Sequence, residues 1–276
     1  EIESMPDETT TTDKSYSQGQ LVLRRFVRHR GAMISLTILV LIILLATTSI
    51  GFGPIPGWWP KNHVDLYPVA LPGGAPTLTL WPFSIGEHPF GQTTIGKDYF
   101  ALVMLGTQNS LTIAFTVGIG ATIIGTLVGA AAGYFRGGIE TFLMRATDVM
   151  MAFPIYLLAI ALVSVLKPSI WILILVIGIV YWTPMTRVIH GEVLSIREKE
   201  FVDAARLTGC SNARVLFRHI LPHLVAVVIV YTSLGIATTI LFESTLSYIG
   251  LGVQPPTPSW GQMISEGQSY YLSAPH

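Results

Sequence analysis

Three groups of residues in this chain have types and spacings that could do chemistry. The first is Gly91-Gln92-Thr93-Thr94-Ile95-Gly96-Lys97, which has the spacing of a phosphate-binding loop up to its last position. Asp98 stands where a Ser or Thr hydroxyl would be needed on Mg²⁺, and a carboxylate beside phosphates repels them. No strand signal precedes the loop, so nucleotide binding is not expected there, and any ATP hydrolysis must occur on a partner. The second group is two acids, Asp148 and Glu243, in or beside long apolar runs. An ionised carboxylate at a bilayer centre costs roughly 2.5–3.5 kcal/mol, which makes such residues functional candidates by default. Arg145 lies three residues before Asp148, and a structural ion pair between them is the expected reading. Glu243 either lines a pathway or holds a turn by hydrogen bonds. The third group is a polar island, 200–222, set between two apolar runs so that it can lie outside a bilayer while its flanks lie inside.

The island reads as two short helices with a break. Residues 200–208 are good helix formers, Gly209 suits a left-handed stop, and Ser211 can cap the next turn. Phe201, Ala204, Ala205 and Thr208 then share one face, with two alanines small enough for another protein surface to approach closely. The one cysteine, Cys210, lies in this loop, so no intrachain disulfide is possible. The histidines are scattered, and no metal-ligand cluster or cofactor site is expected.

The flanks establish a membrane protein. The chain is 51% hydrophobic and 12% charged, where an average soluble domain has about one quarter charged. Runs at 32–52, 111–134, 146–166, 170–189 and 224–241 can each span a hydrocarbon core of about 30 Å, giving an all-α, polytopic fold with five visible spans. Thirteen basic residues (Lys14, Arg24, Arg25, Arg28, Arg30, Arg136, Arg145, Arg187, Arg197, Lys199, Arg206, Arg214, Arg218) fall on one side, against Lys61, Lys97 and Lys167 on the other. That bias places the N-terminus and the 191–223 loop in the cytoplasm. A cleaved signal peptide is the competing reading of 24–51, but its apolar run is too long for one.

Residues 1–20 read as a disordered polar tail, and 21–31 as a basic interfacial helix that completes a cytoplasmic segment 1–31. A Pro/Gly-rich external lobe is expected over 53–106, with short strands and with tryptophans as interfacial anchors. In the second span Ala121, Gly125, Gly129 and Gly133 recur at i, i+4 on one face and let helices pack backbone to backbone. The partner helix is left open, with packing inside this chain the favoured reading. Pro154 and Pro184 predict bends or local unwinding in the third and fourth spans. After the fifth span, 254–261 cannot continue a helix.

Asp203-Ala204-Ala205, then Gly209, then Leu221-Pro222 resembles the EAA loop of ABC importer permeases, with Asp203 where that pattern has Glu. Phe217-Arg218-His219-Ile220-Leu221-Pro222 and the run from Phe242 through Gly252 to Trp260-Gly261 are similar to the oligopeptide/dipeptide/nickel group, and the segment 88–98 resembles that group's approach to its second span. The match runs from about Arg24 to His276 and fits the C-type of two paired permease subunits. The resemblance implies a type I importer transmembrane domain over 107–276 in a bacterial inner membrane. It also implies a coupling helix carrying Phe201, Asp203, Ala204, Ala205, Arg206, Gly209 and Arg214. Its implied partners are a second, B-type permease, ABC ATPase subunits that bind ATP and Mg²⁺, an external substrate-binding protein and membrane lipid, with no nucleic acid. Permeases of this group have six spans, so both ends of the chain are expected to be incomplete. The cargo class is a peptide, without selection among oligopeptides, dipeptides and nickel chelates. A secondary transporter and a non-transporting scaffold are the rival classes. The first is opposed by the lack of a visible repeat and of coupling-ion sites.

Overall fold

The computed structural model describes residues 24, 26–166 and 169–276. The expected polar tail, and residues 21–23 and 25 of the basic stretch after it, lie outside these residues. The chain divides into a unit that ends at Leu45 and a larger one from Ala46 onward. What is described of the first unit is chiefly the apolar helix α1 (Arg30–Ser49), which runs on into the second.

The lobe that follows α1 is irregular, as its prolines and glycines require. Two minimal antiparallel hairpins, β1 (Gly51–Phe52) with β2 (Ile55–Pro56) and β3 (Thr79–Leu80) with β4 (Phe83–Ser84), are its regular strands. The lobe closes at Asp98, short of the expected boundary at Gly106, because the Asp98 side chain accepts from the Ala101 amide at 2.9 Å and starts a helix there. That helix, α2 (Tyr99–Phe135), has 37 residues and is about 55 Å long, well beyond the apolar run that predicts it. Hydrophobicity marks only the part of a helix that sits in lipid; caps decide where it begins and ends.

The same extension recurs in α5 (Ile170–Ile196) and in the continuous helix α7 (Asn212–Tyr248). Pro184 sits inside α5, which continues through it as one helix, so the expected unwinding there is not found. Pro154 does break its helix. Phe153 is pushed to extended geometry (φ −83°, ψ 133°) by the proline that follows, and α3 (Gly137–Ala152) meets α4 (Ile155–Val165) at a bend of 81°. Among the described residues four helices are long and apolar enough to cross a membrane, and this bent pair makes a fifth if both arms form one span.

The small-residue row on α2 is the seam of the larger unit. A Cβ placed on Gly129 would lie 2.5 Å from the Thr186 carbonyl oxygen and 2.9 Å from Ile189 Cβ. On Gly125 it would lie 2.7 Å from the Trp182 carbonyl oxygen, and on Gly133 2.9 Å from Val193 Cβ. Ala121 is buried on the same face. The partner is α5 of the same chain. Two turns nearer the start of α2 on the same side, Gly118 receives α7, where a Cβ would meet Ile236 Cγ1 at 2.5 Å. Gly129→Leu should therefore destabilise by about 3 kcal/mol or more, since the obstruction is backbone that cannot rotate away. Val128→Leu, at a half-buried neighbouring position, should change little. Thermal unfolding of both variants in detergent checks the contrast.

Candidate functional site

The polar island folds as a helix, a sharp turn and a second helix, with a length that the sequence reading misjudges. α6 (Glu200–Leu207) is short and ends in Thr208 and Gly209, and Gly209 has φ +78°. A left-handed residue there reverses the chain, and a side chain at that φ would be strained. Ser211 caps the next helix, accepting from the Arg214 amide at 3.4 Å. That next helix is no short element, because it runs from Asn212 into the last span. A π segment, Val215–Ile220, lets it do so. The Leu221 amide donates five residues back to the Leu216 carbonyl, which widens the turn just where Pro222 enters without an N–H of its own.

The orientation of α6 corrects one expectation. Val202 (0% exposed) and Ala205 (7%) face inward, onto Ile189, Val193 and Ile196 of α5 and Val215, Leu216 and Ile220 of the π segment. Ala205 is therefore covered by this chain and is not part of a free contact face. Phe201 lies at the edge, its ring 4.9 Å from that of His223. The outward residues are Asp203, Ala204, Arg206 and above all Leu207, at 89% exposure, with Arg214 exposed on the following helix. Asp203 and Arg206 pair with each other at 3.2 Å. Val202 and Leu207 were missed by the sequence reading. The legible signal was the pair Val202 and Ala205, three residues apart, which is a buried stripe once Val is weighted as core.

Three further contacts hold this end together. Arg197, 7% exposed, donates to the Gly133 and Tyr134 carbonyls at 3.0 and 3.3 Å, satisfying the C-terminal end of α2 with a cation where the helix dipole favours one. The Tyr134 hydroxyl pairs with Asn212 Oδ1 at 2.9 Å, and the Arg206 guanidinium lies 5.4 Å from the Tyr134 ring centroid. Arg136 pairs with Glu198 at 2.7 Å. Arg136, Arg197 and Arg206 thus share one end of the helical unit, as the charge bias predicts.

Both acids of the apolar runs have partners within the chain. Asp148 takes its short ion pair from Arg187 of α5 at 2.7 Å, while the expected partner Arg145 stands at 3.8 Å. The missed partner is distant in sequence, so spacing could not reveal it. Glu243 is fully buried; it accepts from Ser110 Oγ of α2 at 3.2 Å and from Ser247 Oγ at 2.6 Å. Both serines hold the segment beyond α7, for Ser247 Oγ accepts from the Val253 amide and Ser110 Oγ from the Trp260 amide, each at 3.2 Å. Of the two readings of Glu243, the turn-holding one is found. The segment then folds back as α8 (Trp260–Gly267), with Trp260 Nε1 donating to Thr107 at 3.1 Å.

The phosphate-loop look-alike is also structural. The amides of Gly91, Gln92, Thr93, Gly96, Lys97 and Tyr99 all donate within the lobe. Asp98, in the position that spoils the motif, is buried and engages Trp59 Nε1 at 2.8 Å and His88 Nδ1 at 2.7 Å besides its helix cap. Lys61 Nζ lies 2.8 Å from the other ring nitrogen of His88. These residues fix the lobe to the start of α2, a network that sequence alone did not suggest.

Residues 121–274 match the family model of the binding-protein-dependent transport system inner membrane component, and residues 17–64 match the N-terminal transmembrane domain of oligopeptide transport permease C. An oligopeptide transport system permease protein of Haemophilus influenzae is 33% identical over 252 residues, covering 91% of this chain and 77% of the relative. A glutathione transport system permease protein of Escherichia coli O6:K15:H31 is 37% identical over 254 residues, covering 92% and 79%. A solved inward-facing structure of the MetNI methionine ABC transporter superposes with TM-score 0.54 at 14% identity, over 63% of this chain and 83% of that one, and shares the fold.

Glu243→Ala should leave two buried serine hydroxyls short of an acceptor and cost about 1–3 kcal/mol. Glu243→Gln, which keeps an acceptor, should cost less. Limited proteolysis across 249–259 checks this, with faster cleavage expected in the alanine variant.

Proposed function

The chain belongs to the family of binding-protein-dependent transport system inner membrane components, as a C-type permease of ABC importers of the peptide-transport group, and from that premise we propose that it carries oligopeptides or dipeptides inward. It does so beside a B-type permease, driven by ATPase subunits that dock on α6 and fed by an external binding protein. The N-terminus and α6 lie in the cytoplasm, and ATP and Mg²⁺ are held by the docked ATPases.

One observation supports this reading above the others. α6 is a short helix clamped from inside by Val202 and Ala205, yet it presents Leu207 almost fully to the outside. A lone surface leucine needs no explanation. A leucine at the tip of a clamped helix, beside Ala204, is a knob on a rigid lever. A partner that grips it moves α5 and α7 as well, because the same core joins all three. The free energy for the movement comes from ATP binding and hydrolysis on the partner, since a passive element cannot shift its own equilibrium.

Leu207→Arg should weaken co-purification of the ATPase subunits about tenfold or more, a loss of roughly 1.4 kcal/mol or greater, and should abolish peptide uptake. Gly209→Val, strained at φ +78°, should disturb the turn and uncouple ATP hydrolysis from uptake. Both changes lie at the surface beyond the spans, so membrane levels should stay normal. Uptake and ATPase association unchanged in Leu207→Arg would remove the docking role from α6.

A further inference from the structure

Three elements bring aromatic and hydroxyl groups together beside the break at Pro154. The Tyr156 ring, on the first turn of α4, stacks on Phe242 of α7 with centroids 4.6 Å apart. Tyr181 of α5 meets the same ring edge-on at 5.5 Å, and its hydroxyl donates to the Thr238 carbonyl at 3.2 Å. Phe242 is sealed beneath at 2% exposure, while Tyr156 remains 46% exposed and Phe153, at the break itself, 53%.

Two independent features bear on what covers this surface. The first is depth. Tyr181 follows the start of α5 at Ile170 by eleven residues, roughly 17 Å along the axis, far from the interfacial belt where tyrosines favour the bilayer. The Tyr156 hydroxyl has no hydrogen-bond partner among the described residues, and a phenol facing hydrocarbon at that depth would lose its bonds to water at a cost of a few kcal/mol. The second is the backbone. Extended geometry at Phe153 and Pro154 interrupts the helix within the apolar run, and irregular backbone at membrane depth is tolerated only inside protein or beside a water-filled cavity.

We propose that Tyr156 and Tyr181, seated on Phe242 beside the Pro154 break, form a wetted wall of the translocation path and contact the peptide as it passes. This rests on the importer reading given above and names the surface that reading requires. The chemistry suits a peptide in transit. Phenol rings lie against apolar side chains of any shape, and phenol hydroxyls both donate to and accept from backbone amides. The wall as assembled from these residues carries no formal charge, so it holds no cargo tightly, and passage requires contacts weak enough to release.

The test uses the whole complex, both permeases with ATPases and binding protein, reconstituted in vesicles. Tyr156→Cys, Tyr181→Cys and Ile179→Cys are treated with a charged maleimide, and labelling is read site by site by mass spectrometry so that native Cys210 is scored separately. Ile179 is 42% exposed and two residues before Tyr181, hence at its depth on the opposite side of α5, and serves as the position expected to face lipid. Both tyrosine positions should label at least about tenfold faster than Ile179, because a charged reagent is excluded from hydrocarbon. Labelling only by a lipid-soluble maleimide would place the surface against the bilayer, and labelling by neither would place it under the partner permease; each result overturns the proposal. Tyr156→Phe keeps the ring and the fold, and should lower peptide uptake per ATP hydrolysed by about threefold to tenfold, the weight of one hydrogen bond. Unchanged uptake in that variant removes the peptide contact. If the unsubstituted complex takes up no peptide while both positions label, the wetted wall stands and the peptide assignment falls.

Discussion

Helices in lipid cannot be driven together by the hydrophobic effect, because the surrounding chains are as apolar as their side chains. What remains is close contact of atoms, and the seam between α2 and α5 supplies it. Gly125, Gly129 and Gly133 bring the backbone of one helix against the carbonyls and first side-chain carbons of the other, closer than any larger residue allows. The rest of the larger unit depends on this contact. It aligns the two helices over their length, so α5 arrives beside the end of α2, where Arg197 closes the Gly133 and Tyr134 carbonyls. It also sets the platform onto which α6 folds. Loosening the seam would leave the loop attached to nothing stiff.

The coupling proposed for α6 requires stiffness at that end, so that a local push is carried to a distance. Val202 and Ala205 share a core with Ile189, Val193 and Ile196 of α5 and with Val215, Leu216 and Ile220 at the entry to α7. Close-packed cores transmit displacement rather than absorb it. The π segment ahead of Pro222 keeps α7 continuous, so a movement at Asn212 is carried along the helix instead of being lost at a hinge. Gly209 performs the opposite task, letting α6 turn sharply into that helix within a few residues.

The sequence made legible what depends on near neighbours. Gly209 as a left-handed stop, Ser211 as a cap, the apolar runs and the glycine face at i, i+4 all follow from local rules, and the structure has each of them. What it hid depends on partners remote in the chain. Arg187 as the ion-pair partner of Asp148, Ser110 as a ligand of Glu243, and His88 with Trp59 around Asp98 are separated by 39, 133, 10 and 39 residues, and no window reaches the larger of these spacings. Ala205 was misplaced for a different reason. Its small size was compatible with either face of α6, and only the position of α5 decides between them. Proline behaved in both ways, breaking the chain at Pro154 and passing unnoticed at Pro184, since the cost of a lost N–H depends on what surrounds the freed carbonyl.

The two ends of the α2–α5 pair are tied by different kinds of contact. The loop end is held chiefly by a close-packed core of apolar side chains, whose dispersion contacts are many and weakly directional, with Arg197 closing the Gly133 and Tyr134 carbonyls beside it. The lobe end is held by buried polar groups. Asp98 caps α2 while engaging Trp59 and His88, and Glu243 fixes the return of the chain through Ser110 and Ser247. Such networks are directional and costly to leave half made, so they favour one arrangement over a continuum of them. Between the two ends, the 81° break of α3 and α4 interrupts the helical hydrogen-bond ladder within an apolar run. Pro154 itself is held, its φ by the ring and its carbonyl by the Leu158 amide at 3.0 Å, so rotation about Phe153 is what changes the angle between the arms without breaking a hydrogen bond inside either helix.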